Sequence, residues 1–281
     1  MAEQATLLRL YPAPAESVPL PGLYLSAPWG IPAEAGKGFV YTNYIASLDG
    51  RIAVQEDSGE GTRIPAPIEN PRDFRLYQEL AAQADAVVVS GQYARDLAAG
   101  TAQAEIPLST DQAFDDLHAW RKDQGRSPQP TAVLVSRRLD FPIERIRARQ
   151  QRNVIVATAA RADDKAVARL ESEGAVVLAA GGERVEGPAL LAALGRLGLD
   201  RIYVAGGPRI LSLFATTGRL DRIYLSLHLQ LLGGERFRTL LEGPRLDPAL
   251  GLALVALHLD THPDAGPGQL FGLFEPLPGN C

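Results

Sequence analysis

The sequence predicts one α/β domain with a mixed, mostly parallel central sheet and helices on both faces. Three observations predict it. Short apolar runs alternate with amphipathic stretches at helical spacing, the pattern of a parallel sheet covered on both sides. The last two strand candidates have no convincing helix between them, which makes that part antiparallel. At Val204-Ala205-Gly206-Gly207-Pro208-Arg209 an apolar run breaks at two glycines and passes into a helical pattern.

Residues 1–37 read as a Pro-rich irregular arm. Pro12, Pro14, Pro19, Pro21, Pro28 and Pro32 forbid a long helix there, while Tyr11, Leu23, Tyr24, Leu25 and Trp29 give the arm something to bury. The domain proper is expected over 38–281. It starts with a strand over 39–46, broken by Ser47-Leu48-Asp49-Gly50 and briefly resumed at 51–54. Asn70-Pro71 supplies an N-cap and a first-turn proline for a helix whose buried face is Phe74, Tyr77, Leu80, Ala81 and Ala84. Apolar strands follow over 85–89, 131–135, 154–157, 175–178 and 201–205, with helices over 114–121, 165–173 and 188–197. The run 222–231 alternates Ile223, Leu225, Leu227, Leu229 and Leu231 with Tyr224, Ser226, His228 and Gln230, which suits a strand near an edge or an interface. Strands over 252–259 and 269–274 close the chain.

Composition narrows the function. The 281 residues are 46% hydrophobic, enough for a sizeable core. Net charge is −5 with scattered Lys and Arg, which argues against a nucleic-acid partner. No stretch has the apolar length of a membrane span, and the N-terminus lacks signal-peptide character, so a cytoplasmic protein is expected. Cys281 is the single cysteine, which leaves no intrachain disulfide or Cys-based zinc site. His118, His228, His258 and His262 offer no metal spacing with a third ligand, so no metal is expected.

The two-glycine turn admits two readings. One is a tight strand-to-helix connection. The other is a phosphate site, in which glycines let backbone approach a ligand and the helix start at Pro208 presents free N–H groups with a partial positive charge. Ligands of such sheets bind beyond the carboxyl ends of the strands. Ser90-Gly91, Ser136-Arg137-Arg138, Thr158 and Gly206-Gly207 all follow strands directly.

Five segments taken in order carry a resemblance. They are Ser47-Leu48-Asp49-Gly50-Arg51-Ile52-Ala53; Asp85-Ala86-Val87-Val88-Val89; Val133-Leu134-Val135-Ser136-Arg137-Arg138-Leu139 with Pro142 behind it; Gly206-Gly207-Pro208; and Leu231-Leu232-Gly233-Gly234. Together they resemble the reductase domain of riboflavin biosynthesis, the pyrimidine reductase family of the dihydrofolate-reductase-like superfamily. The resemblance runs from about residue 38 to the C-terminus and leaves the arm outside it.

It implies a dihydrofolate-reductase-like three-layer fold, a homodimer, and an NADPH-dependent reductase of the 5-amino-6-(5-phosphoribosylamino)uracil type. Hydride would pass to C1 of the ring-opened ribose. Ser90, Gly91, Ser136, Arg137, Thr158, Gly206, Gly207, Pro208 and Arg209 would hold the cofactor, with Arg137 on its 2′-phosphate. Asn43, Ser47, Asp49 and Arg51 would meet the substrate, Asp49 being the candidate catalytic carboxylate. Each has a plainer reading as well: an Asp-Gly turn for Asp49, solvated loop charges for Arg51, Arg137 and Arg138, a strand-end hydroxyl for Thr158.

Three departures bear on the substrate. Ala205 stands where the family usually has a glutamate, Ser90 to Asp96 reads as the start of a helix rather than a glycine-rich loop, and Arg51 replaces a lysine. The zinc-deaminase signature H-x-E with P-C-x-x-C is absent. A reductase of the same fold acting on a pterin or dihydrofolate, and a non-catalytic nucleotide-binding protein, are the alternative readings.

Overall fold

The computed structural model describes residues 5–32, 38–55, 62–102, 108–144, 146–147 and 153–278. Cys281 lies outside them. The strands are β1 (Thr6–Tyr11), β2 (Glu16–Pro19), β3 (Phe39–Ser47), β4 (Ala53–Gln55), β5 (Thr62–Arg63), β6 (Ala86–Ser90), β7 (Thr131–Val135), β8 (Val154–Thr158), β9 (Val176–Ala179), β10 (Arg201–Val204), β11 (Arg222–His228), β12 (Phe237–Arg238), β13 (Leu252–Asp260) and β14 (Gln269–Pro276). The helices are α1 (Pro71–Gln83), α2 (Gly91–Ala99), α3 (Asp115–Asp123), α4 (Asp164–Ser172), α5 (Gly187–Gly195) and α6 (Pro208–Ala215).

Eleven strands form one sheet in the order β2-β1-β13-β14-β11-β3-β10-β6-β7-β8-β9. From β11 to β9 every pairing is parallel, and the β1, β2, β13 and β14 pairings are antiparallel. Two cores flank it. Tyr41, Val87, Leu134, Val156 and Tyr203 pack with Leu80 of α1, Ala94 of α2 and Leu170 of α4 on one face. Val40, Val88, Val133, Ile155 and Val204 pack with Leu190 and Leu194 of α5 and with Ile210 and Phe214 of α6 on the other. Helices therefore cover both faces of the parallel part, and the three-layer α/β expectation stands.

Helix α1 starts as its sequence dictates. The Asn70 side chain accepts from Asp73 N at 2.7 Å, and Pro71 takes the first position, where no N–H is needed. Its buried face differs from the one expected. Leu76 is in the core and Phe74 lies at the surface, because a second partner covers the flank. That partner is the N-terminal segment. Buried Glu79 accepts from Gly22 N at 2.6 Å and Tyr24 N at 3.0 Å, and Gln83 accepts from Ile31 N at 2.7 Å.

The irregular-arm expectation for 1–37 is thereby corrected. Residues 6–19 form the hairpin β1–β2, which joins the sheet through β1 and β13. Pro12 and Pro14 sit in the turn, Pro19 ends the edge strand β2, and Pro21, Pro28 and Pro32 lie beyond the hairpin, positions that tolerate a missing N–H. The edge placement for 222–231 is corrected too. β11 is interior, between β14 and β3, and its polar side is the buried one. Tyr224, Ser226 and His228 are buried; the Tyr224 hydroxyl donates to Trp29 O of the N-terminal segment at 2.7 Å, Ser226 bonds Asp73 of α1, and His228 lies against Ala265 and Gly266. Alternation reports two unlike faces, and here hydrogen-bonded polar groups are the inward ones.

Candidate active site

The helix after β6 packs on one face of the sheet and the helix after its neighbour β10 packs on the other. A crevice opens between two such strands at their carboxyl ends. Ser90-Gly91 forms one lip of it and Ala205-Gly206-Gly207-Pro208 the other.

The second lip is a helix start with open space before it. Gly207 is the N-cap of α6, with φ −66° and ψ 178°, and Pro208 follows at the first position. A β-carbon on Gly207 would meet no atom within 4 Å, so the space before it is open. One on Gly206 would lie 2.7 Å from Ile210, so Gly206 is required by packing alone. The turn is held from behind: the Tyr44 hydroxyl donates to Gly206 O at 2.9 Å and Thr42 Oγ1 to Val204 O at 2.7 Å. Arg209 points outward, 3.8 Å from Glu242.

On the first lip Ser90 caps α2, accepting from Tyr93 N at 3.4 Å, as the helix-like reading of 90–96 anticipates. Gly91 packs on Ser136, where a β-carbon would lie 2.5 Å from the Ser136 hydroxyl. That hydroxyl donates to Arg138 O, so Ser136 braces the loop instead of facing outward. Arg137 is exposed and has no ion-pair partner among the described residues, whereas Arg138 pairs with Asp140 at 2.7 Å. Arg137, Arg138, Lys165 and Arg169 line a groove of about 840 Å³ with Asp140 and Asp163. Thr158, ending the adjacent strand, is buried and its hydroxyl oxygen has no partner. Open space before Gly207, an uncommitted cation at Arg137 and an orphaned hydroxyl at Thr158 fit a phosphorylated dinucleotide laid across the strand ends.

The other predicted residues gather at the end of β3. Asn43 and Ser47 share a face, as their spacing requires. Asn43 Oδ1 accepts from the Tyr203 hydroxyl. Asp49 does not reach into open space. Its carboxylate accepts from Ser47 Oγ at 2.5 Å, Arg51 Nε at 2.7 Å, Gly233 N at 2.9 Å and Leu232 N at 3.2 Å. Those bonds, the Ser47 hydroxyl foremost, hold the Asp49 carboxyl far below the usual carboxylate range. Arg51 is committed as well, donating to Gly234 O at 2.7 Å with its guanidinium 4.1 Å from the centre of the Phe237 ring. Arg51 and Asp49 thus form a clamp, which fastens 230–238 against the end of β3. Backbone bonds from Leu48 N to Gln230 O and from Ile52 N to Arg238 O complete it.

Asn43, Ile45 and Ala205 are only half-buried although their strands are interior. The sheet is therefore uncovered there, between α1 and α2, with half-buried Tyr77 of α1 and Tyr93 of α2 beside the gap. Sequence reasoning missed Tyr203, Ser226 and Asp73 around this floor. Asp73 is buried, bonded by Ser226 and, at 3.1 Å, by Gln269 Nε2; burial pushes its carboxyl up to about 6. In the sequence it looks like an ordinary first-turn acid of α1.

Among the described residues no group of three or more His, Cys, Asp or Glu is placed to hold a metal ion, and no helix is long and apolar enough to cross a membrane.

The family model for the RibD C-terminal domain matches residues 38–267. A 2,5-diamino-6-ribosylamino-4(3H)-pyrimidinone 5′-phosphate reductase of Archaeoglobus fulgidus is 29% identical over 205 residues, 73% of this chain and 86% of that protein. A protein of the same name from Methanothermobacter thermautotrophicus is 26% identical over 209 residues, covering 74% and 86%. Among solved structures, a pyrimidine reductase-like protein from Corynebacterium diphtheriae superposes with a TM-score of 0.67 at 21% identity, over 92% of this chain and 99% of that one. That last likeness is one of fold.

Proposed function

The chain belongs to the RibD C-terminal domain family, and from that premise we propose that it reduces a ribosylaminopyrimidine 5′-phosphate with NADPH. The ring-opened ribose accepts hydride at C1 and a proton at the imine nitrogen, leaving a ribityl chain. The observation that carries this reading is the crevice between β6 and β10, with the Gly206-Gly207 turn on one lip and the Arg137 groove beyond the other. A nicotinamide cofactor supplies the hydride; the chain supplies position and charge. The amides at the start of α6 bind the pyrophosphate, Thr158 lies toward the adenosine, and Arg137 takes the 2′-phosphate. Asn43 lies on the substrate floor. Ser47, Asp49 and Arg51 act by shaping the 230–238 loop over it, so Asp49 serves catalysis through position.

Titration with NADPH and NADH, followed by tryptophan fluorescence, tests the cofactor; loss of NADPH absorbance with the diaminopyrimidinone substrate of the relatives and with its uracil counterpart tests the reaction. Binding of NADPH with turnover of neither would favour a non-catalytic role, and turnover of dihydrofolate alone would favour the pterin reading. Arg137→Ala is expected to weaken NADPH by roughly 10- to 100-fold, the value of a charged hydrogen bond, and leave NADH unchanged. An unchanged ratio of the two affinities would move the 2′-phosphate contact elsewhere.

The antiparallel half of the sheet supports a homodimer. Leu8, Leu259, Leu270 and Leu227 are register partners across β1, β13, β14 and β11 and so lie on one face. Leu8 is 41% exposed and the other three are half-buried, an apolar row of the kind that marks an interface. Light scattering is expected to give twice the chain mass of 30.1 kDa. Leu8→Asp with Leu259→Asp is expected to return it to a single mass; a monomeric wild type would refute the dimer.

A further inference from the structure

We infer that Tyr203 is a positioning residue: its hydroxyl fixes the side-chain amide of Asn43 so that the amino group, and not the carbonyl, faces the substrate. The inference rests on the proposed reductase reading and deepens it.

The bond that fixes the amide joins two neighbouring strands. Tyr203 of β10 pairs in register with Tyr41 of β3, and Asn43 stands two residues further along β3 on the same face. The Tyr203 hydroxyl donates to Asn43 Oδ1. Its ring is held by two others. It stacks on Tyr41, with centroids 5.1 Å and planes 8° apart, and its centroid lies 5.8 Å from that of Tyr77 on α1. Tyr41 is tied in turn to α1, its hydroxyl donating to Leu80 O at 2.8 Å.

The count of donors and acceptors decides which way the amide points. Tyr203 is fully buried, and burial keeps its phenol protonated, so the hydroxyl needs an acceptor. An inverted amide would set N–H groups against it and leave a buried donor unpaired. With Oδ1 spent inward, Nδ2 turns outward. It donates to none of the described residues and is not buried, so its N–H groups open on the gap between α1 and α2. The flanking residues do not compete for them. Continuing the register of β10 puts Ala205, with only a methyl group, on one side. On the other, the hydroxyl of Tyr224 is already donated to Trp29 O at 2.7 Å.

This point of the floor is therefore a fixed, neutral donor. A carboxamide does not titrate, so Asn43 acts by holding an acceptor oxygen of the substrate, a carbonyl or a hydroxyl, and no proton passes through it. An amide free to turn would present oxygen to that acceptor in a share of the molecules, and the apparent affinity would fall by that share. Tyr203 removes the wrong orientation before the substrate arrives.

The test is steady-state kinetics with NADPH and whichever of the two ribosylaminopyrimidine phosphates the wild type reduces. Tyr203→Phe keeps the ring and removes the hydroxyl. It is expected to raise KM by about 2- to 10-fold, from equal occupation of both orientations at the low end to loss of a whole hydrogen bond at the high end, with kcat and NADPH affinity unchanged. Asn43→Asp keeps an oxygen for the Tyr203 hydroxyl and puts a second where the amino group stood. It is expected to raise KM by at least about 10-fold, acceptor set against acceptor, and serves if Tyr203→Phe does not fold. The Nδ2 proton signals of Asn43, identified by their loss in Asn43→Asp, are expected to shift when the reduced product binds the wild type, and to shift less in Tyr203→Phe. A folded Tyr203→Phe protein with wild-type KM, or one whose loss falls on kcat or NADPH affinity instead, would overturn the inference and leave the reductase standing, as would an unchanged KM in Asn43→Asp. Reduction of neither compound by the wild type would overturn the reductase reading itself, and the inference with it.

Discussion

Gly207→Asp is expected to fold like the wild type and to lose dinucleotide binding by roughly 1000-fold. A carboxylate about 4 Å from a phosphate charge costs about 4 kcal/mol at the effective dielectric of a protein surface. The fold has no reason to object. The backbone at Gly207 is ordinary for any residue, and a β-carbon there meets nothing within 4 Å. Gly206→Ala is the informative contrast. Its β-carbon would strike Ile210 at 2.7 Å, so the expected damage is to stability and only then to binding. Thermal unfolding and NADPH titration of both variants separate the two roles. A folded Gly207→Asp protein with wild-type NADPH affinity would remove the phosphate site from this turn.

Asp73→Asn is expected to stabilise the protein above pH 6 and to leave its stability unchanged near pH 4. The native carboxyl is pushed up to about 6 by burial, from an ordinary value near 4. A raised acid pKa means that the native state holds the proton more tightly than the unfolded chain. The stabilisation is complete below about pH 4 and is lost as pH rises through 6. The neutral isostere escapes that loss, so at pH 8 the variant gains up to about 3 kcal/mol over the wild type. Urea unfolding at pH 4, 6 and 8 reads it directly. A difference that does not grow with pH would show that Asp73 ionises as freely in the native state as in the unfolded chain.

Much of the fold is legible in the sequence because its signals are local. Asn70-Pro71 caps and starts a helix wherever the chain goes. The apolar runs at 86–90, 131–135 and 154–158 become parallel strands because both of their faces are covered. Gly206-Gly207-Pro208 marks a strand-to-helix turn from its own backbone preferences. The residues proposed for the cofactor stand out for the same reason, since they lie at or just beyond strand ends.

What escaped depends on partners far along the chain. The prolines of the first 32 residues read as disorder of pattern, yet β1 finds its ladder on β13 some 250 residues later. Alternation along 222–228 told that the two faces differ, but not that the polar face is the inner one. That was decided by Asp73, Gln269 and Trp29, which supply hydrogen bonds to it. Asp49 and Arg51 drew attention as free charged groups and are instead bound to 232–234, which no local motif announces.

The sequence by itself determined the α/β class, the order of its elements and the glycine turn at the end of β10, because capping, periodicity and backbone freedom act over a few residues. The tertiary structure alone decided which polar groups are buried and which charges are already spent. Burial and pairing arise only when distant segments meet, and they separate a carboxylate that clamps a loop, Asp49, from one buried against Ser226 and Gln269, Asp73.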